Sequence, residues 1–279
     1  MKHLLKSAIL VLFTIAMGIC AMFGFAACDN SEKIVVYTEA GFAPFEYIAD
    51  GEIKGVDVDI MNKVGEKLGK KVVFENVNFD IIVDSVSQGK LCNVGAAGIS
   101  VTDERAAKVD FSTEYYTAKL YVIYKASDEE TYVSDTTDNV KGVYWDSLAG
   151  KKIAVQEGTT ADLFLGDEIA EGGTIAGTGA SPVRFDALAT ATADVKAGNS
   201  DVLIIDELPA QKLVENESSL KCVPLYYKGG EGEDDNAATD VYAICVTKGQ
   251  TELLKAINEV LAELGEEGIE ALVQQHLGV

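Results

Sequence analysis

Three stretches of the chain carry residue types and spacings suited to holding a small charged molecule. They are Glu39-Ala-Gly-Phe42-Ala-Pro44-Phe45-Glu46-Tyr47, Gly98-Ile-Ser100-Val-Thr102-Asp-Glu-Arg105 and Gln156-Glu-Gly158-Thr159-Thr160. Each follows a strand-like run, and the second and third lead into helix-like segments. A strand that turns into a helix start presents backbone N–H groups and the positive end of the helix dipole, an arrangement suited to anions. Arg105 adds a planar fork that can grip a carboxylate through two parallel hydrogen bonds. The competing reading of Arg105 is a surface ion pair with Asp103 or Glu104. Phe42, on a loop containing glycine and proline, is expected to face a cleft. Phe79, at a helix start, fits a cleft wall and core packing equally, while Phe45 and Tyr47 are expected to pack the loop. Gln156 can bond a polar side chain. The only histidines are His3 and His276, and no Cys-x-x-Cys pair occurs, so neither a histidine-based metal site nor a histidine triad is expected in the core.

The elements that must position these stretches alternate. Ile34–Tyr37 reads as a buried strand. Val56, Ile60, Val64 and Leu68 recur every fourth residue, which marks an amphipathic helix, and Gly69 supplies its stop. Lys71–Glu75 follows as a strand, Phe79–Val86 as a helix ending near Gly89, and Val94–Ile99 as a small-residue strand. Thr102 is a good N-cap for the short helix after it. Further on, Leu120–Tyr124, Lys152–Val155, Asp201–Ile205, Leu220–Leu225 and Val241–Val246 read as strands, with one more at Thr174–Ala176 or Val183–Phe185. Helices are expected from about Thr160, over Ala187–Ala197 and over Leu208–Val214. The last thirty residues form two helices separated near Gly265. Tyr227–Thr239, rich in glycine and acid, reads as an exposed loop. Alternating strands and helices predict an α/β protein of two units with mainly parallel sheets.

The 279 residues suit one large domain or two smaller ones. The net charge of −22 disfavours binding to nucleic acid. The N-terminal segment has Lys2 and Lys6 ahead of an uncharged run from Ala8 to Ala27, as expected of an export signal. Its end, Phe25-Ala26-Ala27-Cys28, resembles a bacterial lipobox, which implies cleavage after residue 27 and acylation of Cys28. Loss of residues 1–27 removes two lysines and no acid, taking the net charge from −22 to −24. Cys92, Cys222 and Cys245 sit in apolar runs and are expected to behave as small buried hydrophobes.

Pro44-Phe45-Glu46-Tyr47, Gly55-Val56-Asp57-Val58-Asp59, Thr102-Asp103-Glu104-Arg105 and Asp110-Phe111-Ser112 occur in the order and spacing of family 3 solute-binding proteins, the amino-acid receptors of ABC importers. Glu157-Gly158-Thr159-Thr160 and Ile205-Asp206 extend the resemblance, which runs from about Lys33 to Leu277. It implies a two-lobed, type II periplasmic-binding-protein fold with the ligand in the cleft. Residues 33–117 and 238–279 would form lobe I and residues 118–237 lobe II, with crossings near Tyr115–Lys119 and Ala237–Val241. Residues 28–32 would be the lipid-anchored tether.

The resemblance also implies site roles. Arg105, helped by Thr159 and Thr160, grips the α-carboxylate of a free L-amino acid. The Gly98 carbonyl, Ser100 and Asp206 hold its α-ammonium, whose three donors need three acceptors. Phe42 and Phe79 flank its side chain. Glu39 stands where receptors for basic amino acids often carry an acid, so a basic side chain is favoured, although Gln156 suits glutamine equally. Asn93 replaces an aspartate usual in the family, and Ala97 removes a possible side-chain contact. No cofactor, metal or catalysis is expected. The partners are the amino acid, a membrane permease and, through Cys28, the outer face of the cytoplasmic membrane; the protein is expected to be a monomer. The alternatives are a dehydratase acting on prephenate or arogenate in the same cleft, and a ligand-sensing module.

Overall fold

The computed structural model describes residues 33–278; the expected signal, the tether and Cys28 lie outside the described residues. The apolar run Lys33–Thr38 pairs in parallel with Lys71–Asn76 on one side and Val94–Gly95 on the other. Cys245–Val246 and Asp110–Phe111 complete this five-stranded sheet, with Cys245–Val246 antiparallel to both of its neighbours. The larger sheet has Lys152–Gln156 at the centre of a parallel group with Ser181–Phe185 and Val202–Asp206. Val202–Asp206 is buried at every residue, as its unbroken apolar sequence requires for a strand covered on both faces.

Both sheets are mixed because of the chain that joins them. It leaves the five-stranded sheet along one ten-residue strand, Tyr116–Lys125, which runs antiparallel to Val202–Asp206 and Leu220–Tyr227. It returns along Thr239–Tyr242, whose partners are the first residues of that same strand, from Thr239 opposite Lys119 to Tyr242 opposite Tyr116.

Helix Val56–Leu68 forms where the fourfold spacing predicts, burying Val56, Ile60, Met61 and Val64. Gly69 ends it in a left-handed conformation and donates back to Glu66 and Gly65. The helix packs against the C-terminal helix Thr251–Leu277, which bends at Gly265, where φ is 57°.

Several regions depart from the sequence reading. The strand expected over Val94–Ile99 stops at Gly95. At Gly98 the chain turns with φ 54°, and a Cβ there would lie 2.8 Å from the Phe42 ring, so conformation and space both require glycine. The loop expected over Tyr227–Thr239 contains the strand Asn236–Ala237 and the start of the returning strand. Within it Glu231, Glu233 and Asp234 are exposed, but Asp235 folds inward and accepts from Tyr144 Oη at 2.6 Å, Thr137 N at 2.8 Å and Gly229 N at 3.0 Å. The strand expected over Val241–Val246 divides into Thr239–Tyr242 and Cys245–Val246, one in each sheet. A small sheet of Gly41–Phe42, Glu46–Ala49 and Glu52–Lys54 was not anticipated. Cys92 and Cys245 are buried as expected, whereas Cys222 is only half-buried; all three thiols are free. Among the described residues no helix is long and apolar enough to cross a membrane.

Candidate functional site

Between the two sheets lies a small, tightly closed cavity lined by Glu39, Phe42, Phe79, Gly98, Ser100, Gln156, Thr159, Thr160 and Asp206. These are nine of the ten ligand-site positions expected from the sequence; Arg105 is the tenth and stands just behind the lining. The lining residues come from strand ends and the turns after them. Glu39 and Phe42 follow Lys33–Thr38, Gln156 ends Lys152–Gln156, and Asp206 ends Val202–Asp206.

Arg105 is 7% exposed. Its Nη1 donates to the Ser100 carbonyl at 2.6 Å and its Nη2 to the Gly158 carbonyl at 2.8 Å, so it ties one side of the cleft to the other. Its guanidinium lies 5.5 Å from the centre of the Phe79 ring, within cation–π range. Among the described residues no carboxylate lies within ion-pair distance of it, and Glu104 pairs instead with Lys108 at 3.1 Å. The surface-pair reading of Arg105 is therefore excluded. Burial lowers its pKa while the charge of Asp240 raises it. A buried cation with two N–H groups engaged on carbonyls keeps further donors free for an anion.

Local capping fixes the turns. The Thr102 hydroxyl accepts from Arg105 N at 3.2 Å. The Thr159 hydroxyl donates to the Gln156 carbonyl at 2.8 Å and accepts from Asp162 N at 3.4 Å, so it serves the start of helix Thr160–Ile169. Asp162 in turn accepts from Gly158 N at 3.2 Å and pairs with Arg184 Nε at 2.9 Å. Arg184, the second of the chain's two arginines, thus braces the Gly158 turn from outside the cavity. Gln156 Nε2 donates to the Asp186 carbonyl at 3.1 Å.

Phe42 is 6% exposed and packs on Phe45 and Tyr242 with ring centres 5.9 and 6.2 Å apart. Phe45 is fully buried, as the loop-packing reading requires. Tyr47 turns away to bond His276 at 3.0 Å.

Acid groups concentrate at the cleft. Glu39 Oε2 and Asp206 Oδ1 are buried without hydrogen-bond partners. Burial raises both carboxyls, and the charge of Asp240 raises Asp206 further. Asp240, on the returning strand, was not among the expected site residues. It accepts from Ser100 Oγ at 2.6 Å and from Thr160 Oγ1, which belong to opposite sides of the cleft. Behind Gly98, Asp57 accepts from Gly98 N at 3.0 Å and Tyr115 Oη at 2.5 Å. Burial pushes Asp57 up to about 6, and burial with the charge of Asp57 raises the fully buried Glu46 well above the usual carboxylate range.

These shifts have one sign. A carboxyl whose folded pKa lies above its unfolded value holds its proton longer in the folded chain, so its contribution is full below the unfolded pKa and is lost as pH rises through the folded one. Glu39, Glu46, Asp57, Asp206 and Asp240 all shift this way. Glu217 and Asp235, lowered to about 2, stay ionised in both states between pH 5 and 7 and add nothing there. The ligand-free protein is expected to melt at least about 3 °C higher at pH 5 than at pH 7, since Asp57, pushed up to about 6, alone contributes roughly 1 kcal/mol across that interval. Scanning calorimetry across this range checks it; a melting temperature that falls on acidification contradicts it.

Residues 34–279 match the family described as bacterial extracellular solute-binding proteins, family 3. ABC transporter arginine-binding protein 1 of Escherichia coli is 27% identical, over 96% of this chain and 95% of its own. The L-cystine-binding protein TcyJ of the same species is 25% identical, over 88% of this chain and 82% of its own. Among solved structures, the amino acid ABC transporter substrate-binding protein AbpA of Streptococcus pneumoniae, bound to L-arginine, superposes with a TM-score of 0.75. It is 28% identical over 90% of this chain and 97% of that one.

Proposed function

The chain belongs to the bacterial extracellular solute-binding proteins, family 3, and on that premise we propose that it captures a free L-amino acid between its two lobes for delivery to a membrane permease. The observation that carries the reading is the buried, carboxylate-free guanidinium of Arg105, set across from the unpartnered carboxyl of Asp206. A zwitterion supplies the missing partner of each: its carboxylate pairs with Arg105 and its ammonium with Asp206. The Gly98 carbonyl and Ser100 complete the ammonium contacts. Thr160, whose hydroxyl is engaged on Asp240, supports the carboxylate through its backbone N–H at the helix start, whereas the Thr159 hydroxyl contributes by holding the turn.

The paired strands Tyr116–Lys125 and Thr239–Tyr242 form the hinge. Residues 33–117 and 238–279 make one lobe and residues 118–237 the other. The Arg105–Gly158 and Ser100–Thr160 contacts belong to the closed form. A closed lobe pair presents the loaded shape to the permease. Acylated Cys28 holds the receptor at the outer face of the membrane, where one receptor serves as a monomer. The arginine bound to AbpA and the arginine-binding relative support a basic ligand, as does Glu39, whose buried Oε2 has no partner.

Glu39→Gln tests the side-chain assignment. Titration with L-arginine is expected to show affinity at least about tenfold weaker, the equivalent of one lost charge contact, while L-glutamine changes by less than about threefold. Equal changes for both ligands discard the basic-side-chain assignment.

A further inference from the structure

One charged group at the cavity has no part in that reading. Asp240 lies opposite Ala118 in the paired hinge strands. Its strand also lies alongside residues 99–101: Ser100 bridges Tyr242, and Val101 N donates to the Val241 carbonyl at 3.2 Å. This places Asp240 Oδ2 between the Ser100 and Thr160 hydroxyls, which both donate to it. Its Oδ1 is buried and accepts nothing. Asp206, 5% exposed and part of the cavity lining, also keeps a buried Oδ1 without a partner. Two neighbouring carboxyls therefore each hold an unused acceptor, Asp206 in the cavity lining and Asp240 against the Ser100 and Thr160 hydroxyls that belong to that lining.

The charges point the same way. Among the described residues Arg105 is the cation whose charge acts on both Asp206 and Asp240, and Glu39 lines the same cavity. A zwitterion with a basic side chain pairs Arg105, Asp206 and Glu39 and leaves Asp240 over. An uncompensated carboxylate at such a site is costly, so the group needs either a proton or a second share of a cation. The charged and titratable groups facing the pair are Arg105, from helix Asp103–Lys108, Tyr242, on the same strand as Asp240, and Tyr116, on the strand beside it. Burial raises both carboxyls, and the charge of Asp240 raises Asp206 further. Two such groups titrate as a unit.

We propose that Asp240 is a second carboxylate of the ammonium subsite: with Asp206 it cradles the ligand's α-ammonium, which takes the place of the proton the two hold in the empty cleft. The inference rests on the amino-acid reading. The displaced proton passes to solvent, so filling the site releases up to one proton and affinity rises with pH. Because Asp240 also joins Ser100 to Thr160, the subsite is complete only when the lobes are closed.

The test is calorimetric titration of the purified protein with L-arginine and with L-glutamine at pH 5–7, in buffers of differing ionisation heat. Both probes carry the same α-ammonium and are expected to release about 0.5–1 proton on binding. Asp240→Asn keeps an oxygen for the Ser100 and Thr160 hydroxyls but removes the charge. It is expected to bind at least about tenfold more weakly, to release far less proton, and to melt no lower than the parent. An Asp240→Asn protein with the parent's affinity and proton release overturns the proposal and leaves the receptor reading standing. Weaker binding with unchanged proton release also overturns it, since Asp240 then only shapes the cleft. If no amino acid binds the parent protein, the receptor reading falls and this proposal with it.

Discussion

Replacing Arg105 with alanine is expected to weaken amino-acid binding by at least about 2–3 kcal/mol, roughly 30- to 150-fold. The magnitude follows from burial. The guanidinium is 7% exposed, so a ligand carboxylate beside it has shed its water and depends on the protein for compensation. Alanine also removes the bonds to the Ser100 and Gly158 carbonyls, which span the cleft, so closure weakens together with recognition. Lysine restores the charge but not the two-pronged geometry and is expected to recover only part of the loss. Calorimetric titration of the variants measures the effect, with melting curves as a control for folding. Affinity unchanged in the alanine variant would move the carboxylate subsite elsewhere.

Replacing Asp206 with asparagine is expected to separate binding from stability. The ammonium loses its charged partner, and affinity falls by about 2–3 kcal/mol. The ligand-free protein gains, because a buried carboxyl raised by its surroundings and by Asp240 is a strained group. Its neutral isostere removes that penalty, so the ligand-free melting temperature at pH 7 stays level or rises. Function is thus held at a cost to the empty protein, as expected where a site is built for a ligand's charge. A variant that melts several degrees lower and binds with parental affinity would make Asp206 a structural residue.

Much of this site was legible because each recognition residue is tied to a local signal. Thr102 is three residues before Arg105 because it caps the helix that carries the guanidinium. Gly158-Thr159-Thr160 announces a strand turning into a helix, and the structure forms that turn. The fourfold repeat from Val56 to Leu68 gives its helix directly because one face is buried. Asp240 was missed for an equally physical reason. It falls between the loop read over Tyr227–Thr239 and the strand read over Val241–Val246, where no local pattern gives it a role. Its role depends on pairing with Ala118, far away in sequence. The early end of Val94–Gly95 was likewise invisible, since nothing local in Gly98 tells that Asp57, on another element, will take its N–H. The small sheet from Gly41 to Lys54 escaped because its strands are two to four residues long, too short for alternation to register. Distant pairing, more than local propensity, is what the sequence leaves out.

The central claim is that this cleft holds one free α-amino acid. The purified protein, unfolded to strip any retained ligand and refolded, can be titrated calorimetrically against each of the twenty amino acids. The account predicts a single site with Kd on the order of micromolar or tighter for at least one L-amino acid, with arginine or another basic residue foremost. It also predicts no comparable binding of the same compound once its α-carboxylate is amidated. Absence of binding by all twenty, or equal binding of the amide, would contradict it.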